Sequence, residues 1–156
     1  MALISRKTID GFYKKKRIAV IGASRSKSKY GRMLFDELTK LGYDAVPVNP
    51  NACEIAGIKA YKSIKDISPA VEGAIAVVPL AEQEKVVNET ADAGVKSIWL
   101  HEHVMKGVSN PGAIALASQR GLECIVGFCP MMYMPGSAFF HKIHGVIMKL
   151  FGADPK

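Results

Sequence analysis

Five short apolar runs, separated by stretches of helical period that end on glycine, leave this chain few folds to choose from. The runs are 17–22 (RIAVIG), 45–48, 74–78 (AIAVV), 96–100 (KSIWL) and 122–126 (LECIV). Each is mostly continuous rather than alternating, as strands covered on both faces read. Between them, residues 30–41 carry Tyr30, Met33, Leu34, Leu38 and Leu41 at the spacing of one helical face, and Gly42 follows as a left-handed terminator. A second helix is expected over 82–93, stopping at Gly94. A third is expected over 111–120, with Pro111 in its first turn and Gly121 beyond its end. Strands and helices alternating with short loops call for parallel pairing and right-handed crossovers, which build a three-layer α/β sandwich. A further short strand near 57–60 would bring the count to six and the order to 3-2-1-4-5-6.

The two ends of the chain depart from that alternation. Residues 1–16 are basic and predict a short helix around 3–13 leading into the first strand. Residues 136–151 place Phe139, Phe140, Ile143, Val146, Ile147, Leu150 and Phe151 at helical spacing. That stripe reads as a terminal helix packed on its own sheet, or else as a homodimer interface. At 156 residues the whole is expected to be one domain. No stretch reaches the roughly 20 apolar residues of a bilayer span, because the longest uncharged run, 124–140, is cut by Gly127, Pro130, Pro135 and Gly136. Arg6 and Lys7 stand where a secretory signal needs its apolar core, and three cysteines without a C-x-x-C pair do not form a disulfide framework. A cytoplasmic protein with reduced thiols is the expectation.

Charge is concentrated at one end. Residues 1–30 hold nine Lys and Arg against Asp10 alone, a net +8, whereas residues 31–156 come to −1. A nucleic-acid surface would need interleaved aromatics or a recognition helix, and neither accompanies the basic segment. The surplus instead surrounds Gly22-Ala23-Ser24-Arg25-Ser26-Lys27-Ser28-Lys29-Tyr30-Gly31, a glycine turn between the first strand and the first long helix. Unpaired backbone N–H groups and the helix dipole favour a diphosphate at such a place. Gly22 permits the sharp turn and Gly31 permits close approach of the helix to strand or ligand. The spacing is not G-x-G-x-x-G, since Ser24 stands at the second glycine. Eighteen residues beyond Gly31 stands Asn49, followed by Pro50, where an NAD site would place a carboxylate for the ribose. NADP and coenzyme A, which carry an extra phosphate, suit the basic loop better.

These residues resemble the small stand-alone CoA-binding proteins related to the N-terminal domain of succinyl-CoA synthetase alpha subunits. The resemblance spans about 15–130 and is carried by IAVIGAS (18–24), KYG (29–31), the GY and VPVNP runs within 42–50, GIKAYKSIKDI (57–67), VVP (77–79), WLHEHV (99–104) and the Cys129-Pro130 pair. It implies a Rossmann-like domain that binds coenzyme A or an acyl-CoA non-covalently. Gly22, Ala23, Ser24, Arg25, Lys27, Lys29, Tyr30 and Gly31 would hold the phosphates, Asn49 and Pro50 the adenosine side, and Val78 and Pro79 the pantetheine arm. Glu102 falls near an acidic position of that family. His101 and His103 replace the family's usual glutamine and glycine there, and with Cys129 they form a weak candidate for zinc. The rival reading is an enzyme, either an NADP-dependent reductase or a CoA-linked transferase using Cys129. Ligase chemistry needs nucleotide and phosphohistidine domains that 156 residues cannot hold.

Overall fold

A computed structural model of the chain describes residues 4–101 and 110–137. Helix α1 (Arg6–Phe12) starts at Ser5, whose hydroxyl accepts the Thr8 amide at 3.2 Å, and it buries Ile9 and Phe12. Strand β1 (Arg17–Ile21) then enters the centre of a parallel sheet, followed by α2 (Tyr30–Lys40) and β2 (Asp44–Val48). The chain returns to the other side of β1 as β5 (Gly73–Ala76), and continues through α3 (Gln83–Asp92), β6 (Ser97–Leu100), α4 (Pro111–Gln119) and β7 (Glu123–Ile125). The strand order is β2-β1-β5-β6-β7, all parallel. This is the Rossmann-like α/β fold that the alternating pattern calls for.

The continuity of the apolar runs has the expected cause. Along β1, Ile18 and Val20 join one apolar cluster with Phe12, Leu34, Phe35, Leu38 and Trp99, while Ala19 joins the opposite cluster with Val86, Val87, Ala113 and Ala117. Helices α1 and α2 therefore cover one face and α3 and α4 the other. Trp99 anchors the first face: it is fully buried, meets Phe12 edge-on at 5.5 Å, and donates its indole N–H to the Phe128 carbonyl at 2.9 Å. Among the described residues no helix is long and apolar enough to cross a membrane.

The expected sixth strand is not in the main sheet. Residues β3 (Glu54–Ile55) and β4 (Ile58–Lys59) instead form an antiparallel hairpin of their own. Its two-residue turn, Ala56-Gly57, has φ of 54° and 76°. Two left-handed residues in succession match the twist of a tight hairpin, and that turn chemistry overrides pairing with the sheet. The outer position beside β2 is held by one parallel bridge between Val48 and Tyr61. The order 3-2-1-4-5-6 thus loses its first member. A short helix not expected from the pattern, α5 (Pro130–Tyr133), follows β7 and packs Met131 and Tyr133 into the first apolar cluster. The terminal helix expected over 136–151 lies outside the described residues apart from its first two, as do Glu102, His103 and the homodimer surface read from that helix.

Candidate functional site

Leaving β1, the chain goes first to β2 on one side and then to β5 on the other, so the crevice at the carboxyl ends of β1 and β5 is the topological switch point. Gly22 stands there with φ of 92° and donates its amide to the Val48 carbonyl at 2.9 Å. A β-carbon on Gly22 would overlap the Val77 carbonyl oxygen and lie 2.8 Å from its carbon. On the other flank, a β-carbon on Gly31 would overlap the Gly22 carbonyl oxygen and lie 3.0 Å from the Gly22 carbonyl carbon. Each glycine is required by close backbone approach. The helix end, the glycine turn and the Val77–Val78 segment are stacked with no space for a side chain between them.

Ala23, directly after the turn, is buried in the core, and the loop then rises into solvent with Arg25, Lys27 and Lys29 exposed. Its shape is held locally: the Ser24 hydroxyl accepts the Ser26 amide at 3.1 Å, and the Lys29 amide reaches the Ser26 carbonyl at 3.1 Å. Arg32 completes the frame. Its side chain is buried, pairs with Asp36 at 2.8 Å, and donates to the Arg25 carbonyl at 3.0 Å. Lys29, the residue preceding α2, makes no side-chain cap to the first turn. The Arg32 and Met33 amides go to the Lys29 carbonyl at 3.0 and 3.1 Å, no side chain caps the turn, and three exposed cations lie on the loop before it, an arrangement that favours a polyanion.

Asn49 bridges two backbones. Its amide nitrogen donates to the Ala23 carbonyl at 2.8 Å, and its oxygen accepts the Asn51 amide at 2.8 Å. It thereby ties the end of β2 to the glycine turn, with Pro50 exposed beside it. Val78 and Pro79 follow β5; a Val78 methyl lies 3.4 Å from the position of a β-carbon on Gly22. The structure therefore places Gly22, Val78, Gly31 and Asn49 around one point, with the basic loop as its rim.

Tyr30, the first residue of α2, turns toward the far side of this crevice. Its ring stacks on His101 at the end of β6, with centroids 4.0 Å apart and planes 8° from parallel. Its hydroxyl lies 3.3 Å from the Cys129 sulfur. Burial pushes the Tyr30 phenol far above its usual range, the neighbouring Cys129 adds to this, and the Met131 backbone N–H opposes it. Tyr13 is driven up likewise by burial; its hydroxyl donates to the Pro130 carbonyl at 2.5 Å. None of the three cysteines is in a disulfide; Cys53 is exposed and Cys124 and Cys129 are partly buried. Among the described residues no group of three or more His, Cys, Asp or Glu is placed to hold a metal. Arg32 and the Tyr30 stack on His101 escape sequence reasoning. Arg32 lies on a helix among other charged residues, and only its burial sets it apart.

The profile of the CoA binding domain matches residues 16–135, most of the chain and all of the crevice. The chain belongs to the CoA binding domain family. Among curated relatives, this CoA binding domain is 40% identical over 91 residues to the acetate–CoA ligase (ADP-forming) II subunit alpha of Pyrococcus furiosus. That match covers 58% of this chain and 20% of the ligase subunit, so the domain spans only a fraction of the ligase's length. The uncharacterised protein YneT of Bacillus subtilis is 28% identical over 118 residues, covering 73% of this chain and 82% of YneT. In structure, the domain resembles a hypothetical protein from Pyrococcus horikoshii with a TM-score of 0.76 and 27% identity, over 83% of this chain and 89% of the other.

Proposed function

We propose that this domain binds coenzyme A or an acyl-CoA non-covalently at the switch-point crevice and carries no ligase chemistry of its own. The observation that carries the reading is the stack of Gly22, Gly31 and Val77 beneath an uncapped helix start, rimmed by exposed Arg25, Lys27 and Lys29. That arrangement fits a diphosphate on backbone amides and an additional phosphate near the cations. Val78 and Pro79, which follow the strand next to the turn, would flank the pantetheine arm. Asn49 acts here by holding the glycine turn in place, with Pro50 exposed toward the adenosine side.

Calorimetry with coenzyme A, dephospho-CoA and NADP at two salt concentrations tests the proposal. Coenzyme A binds most tightly, and its advantage over dephospho-CoA shrinks as salt screens the exposed cations. Equal affinity for coenzyme A and dephospho-CoA removes the basic loop from the site. A preference for NADP replaces the reading with that of a reductase.

A further inference from the structure

Three chemically capable side chains meet where α2, β6 and the β7–α5 connection converge: the Tyr30 phenol, the His101 imidazole and the Cys129 thiol. The coenzyme A reading gives none of the three a chemical task. Yet Tyr30 is continuous with the glycine loop, and Cys129 touches it directly, so a thiol stands one side chain away from the crevice. Cys129 is partly buried and retains some exposure.

We propose that Cys129 exchanges with disulfides of coenzyme A, so that the crevice captures oxidised coenzyme A as a mixed disulfide on this residue. The inference rests on the coenzyme A reading above. In the exchange, the Cys129 sulfur gives up its proton and attacks one sulfur of the coenzyme A disulfide. The Cys129–CoA S–S bond forms as the original S–S bond breaks, and the second coenzyme A departs as a thiolate that takes up the proton. One disulfide is consumed and one is made, so no further oxidant is required.

The surroundings suit each part of that step. The Tyr30 hydroxyl lies 3.3 Å from the Cys129 sulfur, within reach to donate its proton to it. A phenol kept protonated by its burial remains a donor to that sulfur as negative charge develops on it. His101 holds the Tyr30 ring by face-to-face stacking and keeps the donor in position. The crevice supplies proximity, because a ligand anchored by its phosphates presents its sulfur end repeatedly to the same neighbourhood. Cys53, exposed and joined to no such cluster, is an internal control in the same chain.

The experiment incubates the reduced protein with coenzyme A disulfide or, separately, glutathione disulfide, and follows adduct formation by intact mass and peptide mapping. Calorimetry with reduced coenzyme A runs in parallel. The expected result is one coenzyme A per chain on Cys129, formed at least about tenfold faster than the glutathione adduct because of prior binding. The adduct is released by dithiothreitol, absent in Cys129→Ser and retained in Cys53→Ser. Labelling of Cys53 in preference to Cys129, or equal rates with the two disulfides, overturns the inference. If calorimetry shows coenzyme A binding while Cys129 stays unlabelled, the exchange fails and the binding reading stands. If neither is seen, both fall.

Discussion

Replacing Gly31 by alanine separates a glycine kept for its contacts from one kept for its backbone angle. Gly31 lies inside α2 and is not among the left-handed glycines, so its own φ admits a side chain. The new methyl would nevertheless overlap the Gly22 carbonyl oxygen, 3.0 Å from its carbon and 3.4 Å from the Ala23 α-carbon. The atoms in the way are backbone, and they have nowhere to retreat. Gly22 is itself pressed against the Val77 carbonyl and bonded to Val48. Overpacking of this kind costs about 1–3 kcal/mol, and the gain in helix propensity offsets up to about 1 kcal/mol of that. A net loss of about 1–2 kcal/mol follows, a fall in Tm of about 2–8 °C for a domain of this size. Because the displaced atoms are the turn beneath the diphosphate, coenzyme A affinity falls at least about tenfold, the effect of a misplacement well under the length of a bond. Gly42→Ala is the matched control. There φ is 87° and nothing lies within 4 Å, so the cost is backbone strain alone, about 1 kcal/mol, with unchanged ligand affinity. Thermal melts and calorimetry on both variants read the two effects. A Gly31→Ala protein with native Tm and native affinity refutes the stacked-turn account.

Arg32→Ala removes the donor to the Arg25 carbonyl and the partner of Asp36, and is expected to lower stability by about 1–3 kcal/mol in denaturant titration and to weaken coenzyme A by loosening the loop. Asn49→Asp replaces an N–H donor to the Ala23 carbonyl with a carboxylate that faces it. Such a carboxyl has a folded pKa raised above its unfolded value near 4, so the penalty is absent below that value, grows as pH rises, and is complete above the folded pKa. Unfolding titrations of Asn49→Asp at acidic and neutral pH should show the deficit only at neutral pH. Tyr13 and Tyr30, both raised by burial, favour the folded state while protonated, so that contribution is present below the ordinary tyrosine pKa of about 10 and is lost as pH rises above it. Alkaline titration followed by tyrosinate absorbance should show both ionising only together with cooperative unfolding. Ionisation of all five tyrosines in a protein that is still folded would contradict their burial.

Much of this architecture is legible in the sequence because the signals are local and agree with one another. Continuous apolar runs gave two-faced burial, and glycines 42, 94 and 121 all adopt the left-handed angle that ends a helix. The hairpin is hidden in the sequence because what decides it is the pair of left-handed residues in its turn, Ala56 and Gly57, and not a periodic pattern. For the site, the sequence places Gly22 and Gly31 in the loop, but only the structure shows that Gly31 presses on Gly22 and Gly22 on Val77. Pairing across 99 residues, as between Tyr30 and Cys129, leaves no periodic trace in the chain. The role of Asn49 is a similar case: its position after β2 is visible, and its bond back to Ala23 is not.

The single bridge beside β2 bears on how this molecule avoids its own kind. An open strand at the margin of a sheet is a template on which another chain can add itself. Pro47 has no N–H to offer, and its carbonyl accepts the Tyr61 amide at 3.0 Å, while the Asn49 amide is taken by the Tyr61 carbonyl at 2.9 Å. One residue therefore occupies the stretch of β2 nearest the crevice, and a proline silences the donor just before it. The crevice end of that margin is closed to sheet extension without a sixth strand, and replacing Tyr61 by proline would reopen it to another chain.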